Sequence, residues 1–461
     1  MRLKKNGWLF SALVVTTLLN GCSSIGKIKN DPVAQLPQGE QRYTIVNYSQ
    51  QHPAGDTLFY LAFSGGGTRA AALSYGVLEE LKDTRYQADG KEVRLLDEVD
   101  RISSVSGGSF TSAYYGLFGD QIFDDFKDVF LYKDVQGDLE SLLLGFFDLI
   151  GRMFSTSSRT EVAIDYYDKN IFQGKTFADL QNSGGPLILI NATDLNSQSQ
   201  FIFLQGQFDF LCSDLSQFKV ARAVAASSAV PVLFPPILLE RHGECHYEKP
   251  EWLSSAEKKA EQDDDKRLKE SASALDFYLD DTNPPYVTLL DGGITDNLGL
   301  RTILKTVSLS GGVKKLRDKV YKNQKLPERF VVIVVDASTT GETSIGKSKS
   351  LPSIGDTLGA VTDIQLHLYN TETNSLLKEE LMQWAKTAST KDHTITPYFI
   401  NLDVTGIEKR EDRVFFNSVP TSFSLEKEQA DRLIKLSKEM LRNNPEYQKL
   451  LQQLSAENRD I

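Results

Sequence analysis

Histidine is scarce in this chain. Five are spread over 461 residues, at His52, His242, His246, His367 and His393, and none sits where a strand runs into a loop. A Ser–His–Asp triad needs an imidazole beside its nucleophile, so that arrangement would have to draw on His246 or His393, and the sequence favours neither. Basic residues are also in deficit, with 51 Lys and Arg against 62 Asp and Glu. A chain this acidic does not attract polyphosphate by bulk charge, which excludes nucleic acid as the expected partner. No long apolar run is present either. The amino-terminal run 8–19 has twelve residues, too few to span a bilayer as a helix. No G-K-[ST] follows the three glycines at 65–67, so a phosphate loop there is disfavoured. The acidic run Asp263-Asp264-Asp265 lacks the glycine and the terminal glutamate of an EF-hand, and reads as part of a solvated insertion. No internal repeat is visible.

The amino terminus carries the first positive signal. Met1-Arg2-Leu3-Lys4-Lys5 is basic, the apolar run follows, and the segment closes on Leu19-Asn20-Gly21-Cys22-Ser23-Ser24. This layout predicts a cleaved signal peptide over 1–21. The closing residues resemble the bacterial lipobox, which implies lipidation of Cys22. Ser23 in place of aspartate implies delivery to the outer membrane of a Gram-negative envelope. Cleavage removes three basic residues and no acidic ones, leaving 48 against 62 and a net charge of −14. Several acyl chains on one cysteine hold a protein stably at a membrane, because each buried CH₂ contributes about 0.8 kcal/mol. Cys212 and Cys245 then remain. In an oxidising compartment they either pair or stay as two separate buried thiols.

Residues 22–55 are polar, carry Pro32, Pro37 and Pro53, and read as a tether. From residue 56 to 461 the pattern is that of one α/β domain. Expected strands are 58–63, 99–105, 187–191, 201–204, 286–290, 330–335 and 398–402, several of them continuous apolar runs as for strands buried on both faces. Helical segments separate many of them, which predicts a largely parallel central sheet in a three-layer α/β/α sandwich. Two insertions interrupt the plan, near 140–156 and 250–282. The first contains the strongly apolar stretch 142–154, either a buried helix or an apolar surface at a lipid-facing cleft. Residues 425–454 read as an amphipathic helical tail laid on the sheet.

Three strand ends carry chemistry. Gly65-Gly66-Gly67-Thr68-Arg69-Ala70 fits the loose G-x-G-x-x-G/A pattern of a dinucleotide loop. That reading requires a second strand about 20 residues on, ending in an acid. The region 82–93 is polar and broken by Gly90, so a dinucleotide cofactor is disfavoured. The next expected strand ends in Ser104-Val105-Ser106-Gly107-Gly108. This is the layout of a nucleophile elbow, with Ser104 in place of the first glycine. The third is Asp291-Gly292-Gly293, where an apolar strand ends in an open carboxylate able to serve as a base.

The three motifs in this order, with the block Ala221–Ile237 (ARAVAASSAVPVLFPPI), resemble the patatin-like phospholipase family over roughly residues 57–310. The resemblance implies a serine acyl-ester hydrolase acting on membrane lipids. Ser106 would be the nucleophile and Asp291 the base. Gly65, Gly66, Gly67 and Gly107 would supply N–H groups to the oxyanion. It implies no metal and no organic cofactor. Arg69, in the first turn after the glycines, is either a headgroup contact or a partner for a local acid. Asp296 and Asn297 are expected to cap the following helix. The alternative reading is a catalytically silent lipid-binding or envelope-assembly lipoprotein on the same fold.

Overall fold

The computed structural model describes residues 26–456 apart from 40, 41, 89, 150–156, 232, 322–324, 341–348, 350 and 352. The signal peptide and Cys22 lie outside the described residues. Ten strands form along the chain: β1 Thr57–Phe63, β2 Arg85–Ala88, β3 Lys91–Arg94, β4 Val99–Val105, β5 Leu187–Asp194, β6 Ser199–Ile202, β7 Ile237–Glu240, β8 Tyr286–Asp291, β9 Arg329–Val335 and β10 Thr396–Leu402. Eight of them make one sheet in the order β10-β9-β1-β4-β5-β8-β7, with β6 on β5. The run from β10 to β5 is parallel, while β8 and β6 are antiparallel to β5. All seven expected strands are present. The short β7 and the β2–β3 hairpin were not anticipated. The hairpin stands apart from the main sheet, so it is not the second strand that a dinucleotide fold requires.

The central strands are buried on both faces: along β5 all eight residues are inaccessible. This is the structural counterpart of their unbroken apolar runs. Helices α1 Gly67–Asp83 and α2 Gly107–Phe118 start from the carboxyl ends of β1 and β4. They lie side by side on one face, where a Cβ on Gly108 would stand 2.8 Å from the Cβ of Phe63. Helix α3 Val135–Leu149 contains the start of the apolar stretch, with Leu142 half exposed; its later side chains lie outside the described residues.

In the second insertion, Glu251–Gln262 and Lys266–Asp276 form two packed helices. Asp265 caps the second by accepting the Leu268 N–H at 3.0 Å. The opposite face of the sheet carries α4 Arg301–Leu309, α5 Val313–Val320 and the long α6 Ile354–Ala388.

Two expectations change. The described part of the tether is bound to the domain. Pro32 bridges Ser213, the Asn30 side chain engages Ser213 and both backbone groups of Glu240, and the Tyr43 hydroxyl exchanges bonds with Ile188. The polar composition of 26–55 conceals these anchors because each is a single residue. The carboxyl-terminal tail divides: helix α7 Lys427–Asn443 lies chiefly on α1, while the last helix, Pro445–Ala456, packs against strand β10 of the sheet as expected. Gly76 makes the contact with α1 possible, since a Cβ there would stand 2.5 Å from the Ile434 carbonyl oxygen.

Cys212 and Cys245 are joined in a disulfide with Cα atoms 5.4 Å apart and a sequence separation of 33. Closing a loop of that length in the unfolded chain is worth about 4 kcal/mol in the chain-entropy description. Cys245→Ser is therefore expected to lower the unfolding free energy by about 2–4 kcal/mol. Urea titration with and without reductant checks this: the variant should be insensitive to reductant, and the parent should fall to its level.

Candidate active site

Ser106 terminates β4 and precedes α2 with φ 50° and ψ −121°, a backbone conformation that costs a non-glycine residue about 1–3 kcal/mol. The conformation turns its side chain out of the strand at the point where the chain reverses into the helix. Two small residues make the turn possible. A Cβ on Gly107 would overlap the Gly67 carbonyl, and one on Gly108 would stand 2.7 Å from the carbonyl oxygens of Phe63 and Ser64. Ser104, which replaces the usual glycine of the elbow, is fully buried and accepts a hydrogen bond from the Ser112 hydroxyl at 2.6 Å. The hydroxyl is accommodated by α2 and adds no clash to the turn.

Asp291 reaches the same place from the opposite direction. Strand β8 runs antiparallel to β5 and stops with Asp291 paired to Ala192, one residue beyond the register position Val105–Asn191. Gly292 follows with no room for a Cβ against the Asn191 carbonyl, so the chain turns and leaves the carboxylate beside the elbow. One carboxylate oxygen, Oδ1, accepts the Gly293 N–H at 2.8 Å. Burial pushes the Asp291 carboxyl up to about 6, against the opposing pull of hydrogen bonds from Gly293 and from the Ser106 side chain. A base with that affinity is stronger than an ordinary carboxylate and still ionised at neutral pH. The Ser106 side chain thus lies close enough to Asp291 to draw its proton affinity down, although 185 positions separate the two in the chain.

The glycine loop flanks the pair. Gly66 and Gly67 have φ 137° and 61°, conformations glycine adopts without strain. Gly67 and Gly107 are the first residues of α1 and α2, so their N–H groups point away from helical acceptors and carry the positive ends of two helix dipoles. The N–H groups of Gly66, Gly67 and Gly107 have no acceptor among the described residues. Gly65 differs from the expectation, because its N–H is committed to the Asn297 carbonyl at 2.9 Å. Its contribution is space: a Cβ there would lie 2.5 Å from Asn297 Oδ1 and 3.3 Å from the Ser106 Cβ.

Arg69 also differs. It is buried, and its guanidinium donates to the carbonyls of Ala337 and Val419 and to the Thr421 hydroxyl. It ties the exit of β9 and the loop 419–423 to the start of α1, and is not a headgroup contact. That loop forms a wall of the site, because Thr68 donates to the Ser422 carbonyl at 2.8 Å. Asp296 caps α4, as expected, by accepting the Arg301 N–H at 2.6 Å. Asn297 instead braces the glycine loop, and its side chain donates to Ser338.

The histidines are elsewhere. His393 meets the Pro327 carbonyl, His242 the Asn30 carbonyl and His52 the Tyr48 carbonyl, while His246 adjoins the disulfide. Among the described residues no group of three or more His, Cys, Asp or Glu side chains is placed to hold a metal ion.

Ser227 is the residue that sequence reasoning passed over. Its hydroxyl donates to the Asn191 carbonyl at 2.6 Å and accepts the Ser106 N–H at 2.8 Å, with Ser109 a third partner at 3.0 Å. It pins the elbow to β5. The block Ala221–Ile237 was its signal, visible as a motif and mute about its contact. Ser227→Ala leaves a buried Ser106 N–H without its acceptor, at a cost of about 1–3 kcal/mol. The expected outcome is a 10- to 100-fold fall in kcat with KM nearly unchanged, read in steady-state ester hydrolysis.

A three-layer sandwich with a serine elbow, a strand-end acid and glycine-lined helix starts defines a class of nucleophilic hydrolase. Comparison with known sequences agrees: the patatin-like phospholipase family model matches residues 61–304. The chain belongs to the patatin-like phospholipase family, and its domain is of the lipid acyl hydrolase class. No curated protein sequence matches the chain significantly. Among solved structures, it is similar to human GIVD cytosolic phospholipase A2, at 12% identity and a TM-score of 0.44, over 94% of this chain and 68% of that one. The same human enzyme in complex with methyl gamma-linolenyl fluorophosphonate gives 13% identity and a TM-score of 0.38, over 94% and 66%.

Proposed function

We propose that the protein is a serine acyl-ester hydrolase of phospholipase A or lysophospholipase type, acting on membrane lipids through a Ser106–Asp291 dyad. The observation that carries this reading is the strained Ser106 set beside Asp291, a buried acid whose proton affinity is raised. Asp291 takes the Ser106 proton as Oγ attacks the ester carbonyl. The oxyanion is received by the N–H groups of Gly66, Gly67 and Gly107, each worth about 3–4 kcal/mol in such sites. Protonated Asp291 then gives its proton to the departing alkoxide, leaving an acyl-Ser106. Water attacks that ester, losing a proton to Asp291. Collapse of the second tetrahedral intermediate expels Ser106, which recovers a proton as the fatty acid leaves.

The test is covalent labelling. A fluorophosphonate should add to one residue, Ser106, and intact-mass and peptide analysis should locate it there. Failure of the folded protein to react would favour the catalytically silent reading.

The amino-terminal lipobox supports anchoring through acylated Cys22 in the outer membrane, and the Cys212–Cys245 disulfide suits an oxidising compartment. Radiolabelled palmitate should be incorporated by the parent and lost in Cys22→Ser.

A further inference from the structure

On the sheet face opposite α1 and α2, a cavity of about 90 Å³ lies between the sheet and helices α4, α5 and α6. Strand alternation sets the face: Leu58 and Tyr60 point away from the side on which Phe63 meets Gly108. The walls are apolar, with Leu58, Val332, Ile303, Leu316, Leu381 and Trp384 among them. Three residues of this lining carry polar groups with unspent donors: Arg101 Nε and the Tyr321 and Tyr60 hydroxyls are buried and have no hydrogen-bond partner among the described residues.

The rest of the Arg101 guanidinium donates to Ser49 Oγ at 2.6 Å, a neutral acceptor. No carboxylate stands within ion-pair distance of it among the described residues. Its chain neighbour Asp100 is occupied in accepting the Phe59 N–H at 2.7 Å. The other arginine of the lining, Arg317, is already committed to Asp318 and to the Ala388 carbonyl.

We propose that this cavity is a binding site for a medium-chain fatty carboxylate, its two oxygens taken by Arg101 and Tyr321 and its alkyl chain lying under α4. Buried donors left without acceptors are costly, and a carboxylate in the cavity relieves that cost. Arg101 Nε and the tyrosine hydroxyls suffice for the two oxygens of a carboxylate, whereas a phosphate ester brings more charge than this lining serves. The walls take the methylenes. With one water-sized group needing ~10–15 Å³ by the same measure, roughly six to nine non-hydrogen atoms fit, the two carboxylate oxygens included.

The site is distinct from the dyad. Arg101 lies five residues before Ser106 on β4, roughly 16 Å down the strand. The inference therefore stands or falls separately from hydrolysis at Ser106.

Hexanoate titrated into the Ser106→Ala protein tests it, read by calorimetry and by the fluorescence of Trp384 in a Trp252→Phe background. Saturable one-site binding is expected, with hexanol at least tenfold weaker. Arg101→Gln should erase that tenfold preference, and Leu316→Phe, which fills the cavity and leaves Arg101 in place, should weaken both ligands. Equal affinity for hexanoate and hexanol, no change at Trp384, or hexanoate binding unaltered in both variants would overturn the proposal. Should Arg101→Gln not fold, the hexanoate-to-hexanol ratio in the unaltered cavity decides the matter.

Discussion

Ser106→Ala is expected to lower kcat/KM for acyl-ester hydrolysis by about 10⁴-fold or more, with the fold retained. The residue supplies the one protein atom that bonds to the acyl group in the proposed cycle, and no second hydroxyl takes its place: Ser104 and Ser109 are buried and hydrogen-bonded to Ser112 and Ser227. A companion substitution separates chemistry from strain. Alanine at 106 keeps the φ of 50° that a side chain resists. Glycine does not, so Ser106→Gly is expected to be equally inactive yet more stable, by about 1 kcal/mol. Thermal denaturation of the three proteins reads the strain directly. Full activity in Ser106→Ala would remove the dyad altogether.

Asp291→Asn carries the second large effect, about 10²–10⁴-fold in kcat, because an amide cannot accept the serine proton. The pH profile of the parent should report the same group. With burial lifting its carboxyl to about 6, activity is expected to fall roughly tenfold per unit below pH 6 and to be flat above pH 7.

Stability moves the other way. A carboxyl whose folded pKa exceeds its unfolded value of 3.8 binds its proton more tightly when folded. Its contribution is fully present below pH 3.8 and is lost as pH rises through 6. At pH 8 the ionised, buried carboxylate therefore burdens the fold by up to about 3 kcal/mol. Asp291→Asn should raise Tm at pH 8 and change it little near pH 4. A variant both dead and more stable at pH 8 identifies a carboxylate kept for chemistry. An equal Tm shift at both pH values would point to simple repacking.

The neighbouring network explains how the burden is borne. Asn191 donates from its side chain to Ser103 and to the Ser104 carbonyl, while its own carbonyl accepts from Ser227, which in turn holds the Ser106 N–H. Elbow, acid and brace thus meet on one strand, β5. A chain of satisfied buried hydrogen bonds resists the collapse that a strained φ and a buried charge would otherwise invite.

By itself the sequence determined the strands, the three-layer class and the order of the motifs. Period and composition are local properties, and parallel strands covered on both faces print them as continuous apolar runs. It singled out Ser106, Asp291 and the glycines as the candidate site for the same reason. A strand-to-helix turn of this tightness admits only small residues, and a strand-end acid followed by two glycines is conspicuous. What it left undetermined were contacts between residues far apart in the chain. Only the tertiary structure decided that the Gly65 N–H belongs to Asn297, that Arg69 is spent on the loop at 419–421, and that Ser227 holds the elbow. The disulfide and the docking of residues 26–39 were decided there as well. Each depends on which backbone group happens to face a side chain across the fold. A hydrogen bond of 3 Å between segments hundreds of residues apart leaves no period in either of them.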